Sequence, residues 1–293
     1  MLSFAHWSAS WPALLCYVLA AVAHLAGLRR LASAGTLGRD RRDQALIFQA
    51  GLLLALLALV SPIAYWSQIF LWVRSLQFLV LALVATGLMV LGAPWQAFRA
   101  LLSGGSVSGR PDATKGGNGR AAWLFARPAL AVILANVIWL GWLLPAITDR
   151  ALRDPGLALA GHACCLAAGL LFWLQLIGSR PLSPLVSPMR RLTLVVGTVG
   201  VMTVLGMVLV FGSGVLYPAY ANSAHHVMTV LDDQQLSGAV LWMGVLPALI
   251  AVAVALLMRW LNDEESAELS ADLHRLLTPR KDAWSARPGF RSR

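Results

Sequence analysis

Seven long apolar stretches limit what this chain of 293 residues can fold into. They run at roughly 12–28, 44–64, 67–93, 124–146, 156–178, 191–212 and 237–260. A helix that crosses a bilayer needs about 20 mostly apolar residues, and each stretch approaches or exceeds that length. Inside lipid every backbone polar group must be satisfied internally, so only helices and closed barrels span. The runs are too long for barrel strands and lack their alternating pattern. The predicted fold is an all-α integral membrane protein, a bundle of seven transmembrane helices. Composition agrees: 58% of residues are hydrophobic and 12% charged, against about 25% charged in soluble domains.

The formal charge of +10 is distributed along the chain in a way that sets orientation. Arg29, Arg30, Arg39, Arg41 and Arg42 lie between the first two apolar runs, and Arg99, Arg110, Lys115, Arg120 and Arg127 between the third and fourth. Arg180, Arg190 and Arg191 separate the fifth and sixth, and Arg259, Arg275, Arg280, Lys281, Arg287, Arg291 and Arg293 follow the last. These segments share one face of the membrane. Arg150 and Arg153 fall on the other, and Arg74 lies inside a run. Basic residues concentrate on the cytoplasmic side, so the expected N-terminus is outside and the C-terminus cytoplasmic. The basic face suits anionic lipid. No nucleic-acid motif accompanies the charge, so nucleic acid is not an expected partner. The start, MLSFAHWSASWP, lacks the basic segment of a cleavable signal peptide, so the first helix is expected to be retained.

The membrane domain is expected over 1–260. A flexible cytoplasmic loop at about 96–127 contains SGGSVSGRPDATKGGNGR, and a tail covers 261–293, opening with NDEESAELSADLHRLL as a short amphipathic helix and ending in a basic disordered segment. Trp7, Trp11, Trp66 and Trp142 are placed at the outer interface, and Trp95, Trp123 and Trp260 at the inner one, where indole rings prefer to sit. Cys16, Cys164 and Cys165 all fall within helices and imply no disulfide framework.

The unusual polar residues gather toward the outer side. Arg74 and His162 each lie about two turns in from that side, and His24 is the exception, deep toward the cytoplasm. Arg74 and Gln77 share a helix face. A charge at helix centre costs about 2.5–3.5 kcal/mol on insertion scales. Arg74 therefore either pairs inside the bundle or snorkels to the headgroups. The candidate counter-charges are Asp232 and Asp233, with Asp149 and Asp154 behind them. His162 and Cys165 lie one turn apart and offer N and S ligands suited to Cu(I) or zinc. Gly161, Cys165 and Gly169 also form a small-residue packing stripe. The last external loop, YPAYANSAHHVMTVLDDQQLSG, carries His225 and His226 as a possible weak metal site, then Asp232, Asp233, Gln234 and Gln235. Capping of the last helix accounts for one of the two aspartates. No nucleophile–base set, phosphate loop or HExxH motif is present, so no enzymatic role is expected.

Several blocks, taken in order, resemble the CtaG-like cytochrome c oxidase assembly proteins. They are SPIAYWSQIFLWVRSLQFLVLALVATGLMVLGAP (61–94), HACCLAAGLLFW (162–173), LYPAYA (216–221) and LDDQQLSGAVLW (231–242). The resemblance implies a multi-pass protein of a prokaryotic plasma membrane. Such a protein would assist assembly of a haem–copper oxidase through copper delivery or maturation, with oxidase subunits or copper chaperones as partners and copper as the possible cofactor. The family's third-helix motif has two histidines at i and i+4. Here Arg74 and Phe78 stand in those places, with Gln77 retained between them. A WHLP-like segment becomes WLLP, with Leu143 at the histidine place, while His162 and Asp233-Gln234-Gln235 remain. The resulting expectation is an altered metal site in which the Arg74 guanidinium takes the electrostatic role of a metal ion. Gln77, His162, Asp232, Asp233 and Gln234 would be its surroundings. A small-solute or metal transporter and a scaffold that binds no metal are the competing readings.

Overall fold

The computed structural model describes residues 7, 10–35, 38–102, 127–177, 187–222 and 228–277, and these are helical with short connections. Helix α1 spans Trp11–Ser33 and α2 Arg39–Val60. Pro62 forbids helical geometry at the residue before it, so α2 stops at Ser61. The Ser61 hydroxyl then accepts from the Ile63 amide and starts the short α3, Pro62–Trp66. The central rod follows: α4, Leu71–Leu79, passes through a π-helical stretch, Val80–Ala85, into α5, Thr86–Leu91. Helix α6 is Trp95–Leu102, and α7 is Pro128–Trp142. Then come α8, Pro145–Arg153, α9, Pro155–Leu176, and α10, Pro188–Phe211. A 3-10 turn, Pro218–Asn222, precedes α11, Val230–Leu277.

Six helices are long and apolar enough to cross a membrane, or seven if the bent pair α7–α8 counts as one span. The predicted fourth crossing is the one that differs. Its helix ends after 15 residues, and α8 departs at 62°. Pro145 cannot continue α7, because its ring removes an amide and clashes with the preceding turn. Side chains satisfy the carbonyls freed at the bend: Thr148 Oγ1 donates to Trp142 O at 3.2 Å, and Tyr217 Oη donates to Leu143 O.

Two further segments depart from expectation. Residues 96–102, predicted as loop, belong to α6, whose last carbonyls receive Arg30 Nη1 from α1 (2.7 Å to Leu101 O). Beyond residue 260 the chain is helical to Leu277, as NDEESAELSADLHRLL suggests, but as a continuation of α11 and not as a separate short helix. Most of the predicted loop, and the tail after 277, lie outside the described residues.

The rod from Leu71 to Leu91 is the most enclosed span. A π-helical stretch widens the turn and releases carbonyls from their usual partners. Trp173 Nε1 of α9 donates to Leu83 O at 2.8 Å, and Thr86 Oγ1 donates to Ala82 O at 2.7 Å. This brings α9 so close that a Cβ at Gly169 would lie 2.3 Å from Ala82 O. Without a hydrophobic drive between helices in lipid, such contact rests on small residues and dispersion. The substitution Gly169→Val is expected to part α9 from the rod and lower the thermal midpoint of the detergent-solubilised protein by several degrees. Gly197→Val, with nothing within 4 Å of the added Cβ, should leave it nearly unchanged.

Candidate functional site

The polar residues singled out from sequence collect at the end of the bundle opposite the basic loops, in two tiers. The upper tier is built by the two aspartates. Asp232 forms a reciprocal cap at the start of α11: Thr229 Oγ1 donates to Asp232 Oδ2 at 2.7 Å, and the Asp232 amide donates to Thr229 Oγ1 at 3.1 Å. Asp233 turns the other way and is 4% exposed. Its Oδ2 accepts from the Leu71 amide at 2.8 Å and its Oδ1 from the Trp72 amide at 3.0 Å. Those amides head α4, whose first turn has no side-chain cap of its own. A carboxylate there gains both hydrogen bonds and the favourable end of the helix dipole. One turn along the same face of α11, Ser237 Oγ meets Ser75 Oγ at 2.7 Å. Gln234, fully buried, pins the chain after α10: its Oε1 accepts from Leu216 N at 2.7 Å, and its Nε2 donates to Gly214 O at 3.1 Å.

The lower tier surrounds Arg74, which is 6% exposed and so lies inside the bundle. Its guanidinium carbon sits 5.9 Å from the centre of the Trp142 ring. Trp142 lies against α9, where a Cβ at Gly161 would come within 1.7 Å of its ring. Glycine immediately before His162 is thus what allows the indole to lie there. Arg74 faces His162, Cys165, Tyr217 and Tyr220 electrostatically and is hydrogen-bonded to the Tyr220 hydroxyl. Tyr220 Oη in turn donates to Ser67 O at 3.1 Å. Burial pushes the Tyr217 phenol up to about 12, so it remains a donor at neutral pH.

Arg74 is paired neither with Asp233 nor with Asp232. Asp233 is committed to backbone amides and Asp232 to its own helix cap. Asp154 caps α9 through the Gly156 and Leu157 amides. Asp149 lies beside Tyr217, with its Oδ1 buried and without a hydrogen-bond partner. Arg74 Nη2 is likewise buried without a partner. Gln77, expected beside Arg74, donates instead to Ala58 O at 2.7 Å and braces α2. Burying an ion carries an effective penalty of several kcal/mol. A cation–π contact at about 6 Å, the outer limit of its range, returns a small part of that. The guanidinium is therefore held by shape and by partial contacts, with spare hydrogen-bonding capacity.

As copper ligands the described residues do not fit. No group of three or more His, Cys, Asp or Glu converges among them. Cys165 is 1% exposed and packed in the apolar core, with its carbonyl facing Trp139 Nε1. A guanidinium occupies the space beside His162. His225 and His226 lie outside the described residues. Tyr217 and Tyr220 were expected only as neighbours of a site at His225 and His226, and the Ser75–Ser237 pair was not foreseen. The i, i+4 spacing of Asp233 and Ser237 was the available signal for the latter. The substitution Asp233→Ala is expected to destabilise the fold by about 1.5–3 kcal/mol, the range for hydrogen bonds to a charged group. Asp232→Ala should cost about 1 kcal/mol, as an ordinary exposed cap. Denaturation midpoints of the two variants, compared in detergent, check the order.

Comparison with known proteins gives a family and no individual relative. No curated protein and no solved structure matches the chain. The family described as "Cytochrome c oxidase caa3 assembly factor (Caa3_CtaG)" matches residues 22–263, which takes in the helices from α1 into α11 and both tiers of polar residues. The chain belongs to that family of cytochrome c oxidase assembly factors.

Proposed function

We propose that this protein helps build a haem–copper oxidase from within the plasma membrane of a prokaryote, and that Arg74 supplies the fixed positive charge of its outer polar cluster. Family membership supports the assembly role. The distribution of Lys and Arg supports an orientation with the Arg74 cluster toward the outer face. The observation that carries the reading of the cluster is Arg74 itself: 6% exposed, one donor unpartnered, and no carboxylate bonded to it among the described residues. A membrane-buried arginine is costly, and for that reason it marks a functional site. Here it presents a permanent cation and a free donor beneath a lid made of Tyr217, Tyr220 and the capped head of α11. That is the electrostatic equivalent of a bound metal ion, with none of its ligand exchange.

The poor donor set favours a role in holding oxidase components over one in carrying copper. The work falls to this chain's own residues. Asp233 and the Ser75–Ser237 pair lock the last helix to the rod. Gln234 and the two tyrosines shape the loop that a partner protein would meet. Arg74 holds a fixed positive charge beneath that loop, so its effect on a partner is through the loop's shape and field and not through direct contact.

Deleting the gene and assaying oxidase activity with and without added copper tests this reading. The expected result is a loss of activity that copper does not restore. Full restoration by copper would favour delivery of the ion, and no loss at all would remove the assembly role. Metal analysis of the purified protein provides a second check. Well under one copper per chain is expected, and stoichiometric copper that disappears in His162→Ala would defeat the substitution of charge for metal.

A further inference from the structure

The face bearing the basic loops holds a crevice of about 610 Å³ between the starts of α7 and α10, lined by Arg127, Pro128, Leu130, Arg190, Thr193 and Leu194 among others. From this crevice we infer a binding site for the phosphate headgroup of a membrane phospholipid. The inference stands on features separate from the Arg74 cluster and does not rest on the assembly role.

Depth is the first argument. Asn136 Nδ2 of α7 donates to Thr198 Oγ1 of α10 at 3.0 Å. By helical rise, Asn136 lies roughly 12 Å beyond Pro128 and Thr198 roughly 15 Å beyond Pro188. With both helix starts lining the same crevice as well, the two helices run parallel and begin at nearly the same level. That level is the membrane boundary, where lipid phosphates lie, because both helices turn apolar immediately afterwards.

Chemistry is the second argument. Arg127 and Arg190 stand at the two helix starts and are exposed at the rim. The lining below them is apolar, with Leu130 and Leu194 one turn further in. A charged rim above an apolar floor matches a glycerophospholipid, whose phosphate and acyl chains leave the headgroup in opposite directions. The volume lies within the range of small-molecule sites. The two helix starts reinforce the match without carrying it. Among the described residues neither start has a side-chain cap or an acidic residue in its first turn, which leaves both helix dipoles favourable to an anion. Basic crevices between helices at the cytoplasmic boundary are suited to phospholipid headgroups.

The test uses the purified full chain in neutral detergent, titrated with dihexanoyl phosphatidylglycerol. Binding is read by calorimetry and by the shift in thermal midpoint. Saturable binding is expected, weakened about tenfold or more in Arg127→Gln/Arg190→Gln. The control Arg29→Gln/Arg42→Gln removes the same charge from exposed positions on the same face, and it should leave binding nearly unchanged. Arg190→Gln alone, at an exposed position, keeps the test valid if the double variant is poorly folded, and Arg190→Lys should recover part of the loss. Equal weakening in both double variants would overturn the site in favour of general surface charge. Inorganic phosphate that binds as tightly as the lipid would overturn the lipid as occupant, and unaltered binding in Arg190→Gln and the crevice double variant would overturn the crevice.

Discussion

Two amides at the head of the central rod, those of Leu71 and Trp72, are satisfied by a single carboxylate from the start of the last helix. Much of the end of the bundle around Arg74 depends on that contact. A helix that begins near the membrane edge exposes donors that have no intrahelical partner, and an unmet polar group in an apolar setting is expensive. Asp233 meets two at once and fixes the axial register of α11 against α4. In that register Ser237 reaches Ser75, and Gln234 reaches the chain leaving α10. Tyr217 and Tyr220 follow from the same stretch and close over Arg74.

The architecture was legible in the sequence because lipid leaves few options. Apolar length alone predicts the crossings, and basic loops predict which helix ends lie together. The break in the fourth crossing was partly visible: WLLP names the proline that ends α7, but the 62° departure of α8 depends on Thr148 and Tyr217 catching the loose carbonyls. Those partners are distant in sequence for Tyr217 and give no local pattern. The helix past residue 260 was legible in NDEESAELSADLHRLL; that it continues α11 without a break was not, because no residue type there marks the join and helical continuation needs only backbone hydrogen bonds.

The site was legible in its residues and not in its pairings. Arg74, Gln77, His162, Asp233 and Gln234 stand out as polar groups in apolar surroundings, and all five lie inside the bundle or partly so. Charge complementarity then suggested joining Arg74 to an aspartate. Backbone demand outweighed that attraction: a carboxylate satisfies two fixed amides at about 3 Å more completely than a side chain with several rotamers. Gln77 likewise served a backbone carbonyl, Ala58 O, in preference to its neighbour on the helix face. Sequence reasoning counts side-chain charges readily, and it rarely anticipates which main-chain groups a packed bundle leaves open.

The final helix has a mechanical implication. Its 48 residues run unbroken from Val230 to Leu277, which at about 1.5 Å per residue is roughly 70 Å, more than twice the hydrocarbon thickness of a bilayer. Its leading end carries Asp233, and its trailing end projects well beyond the basic face. Pro247 lies within this helix and removes one backbone hydrogen bond, which makes that turn the natural point of bending, so a pull on the far end would reach the latch over Arg74 as a flexing about Pro247.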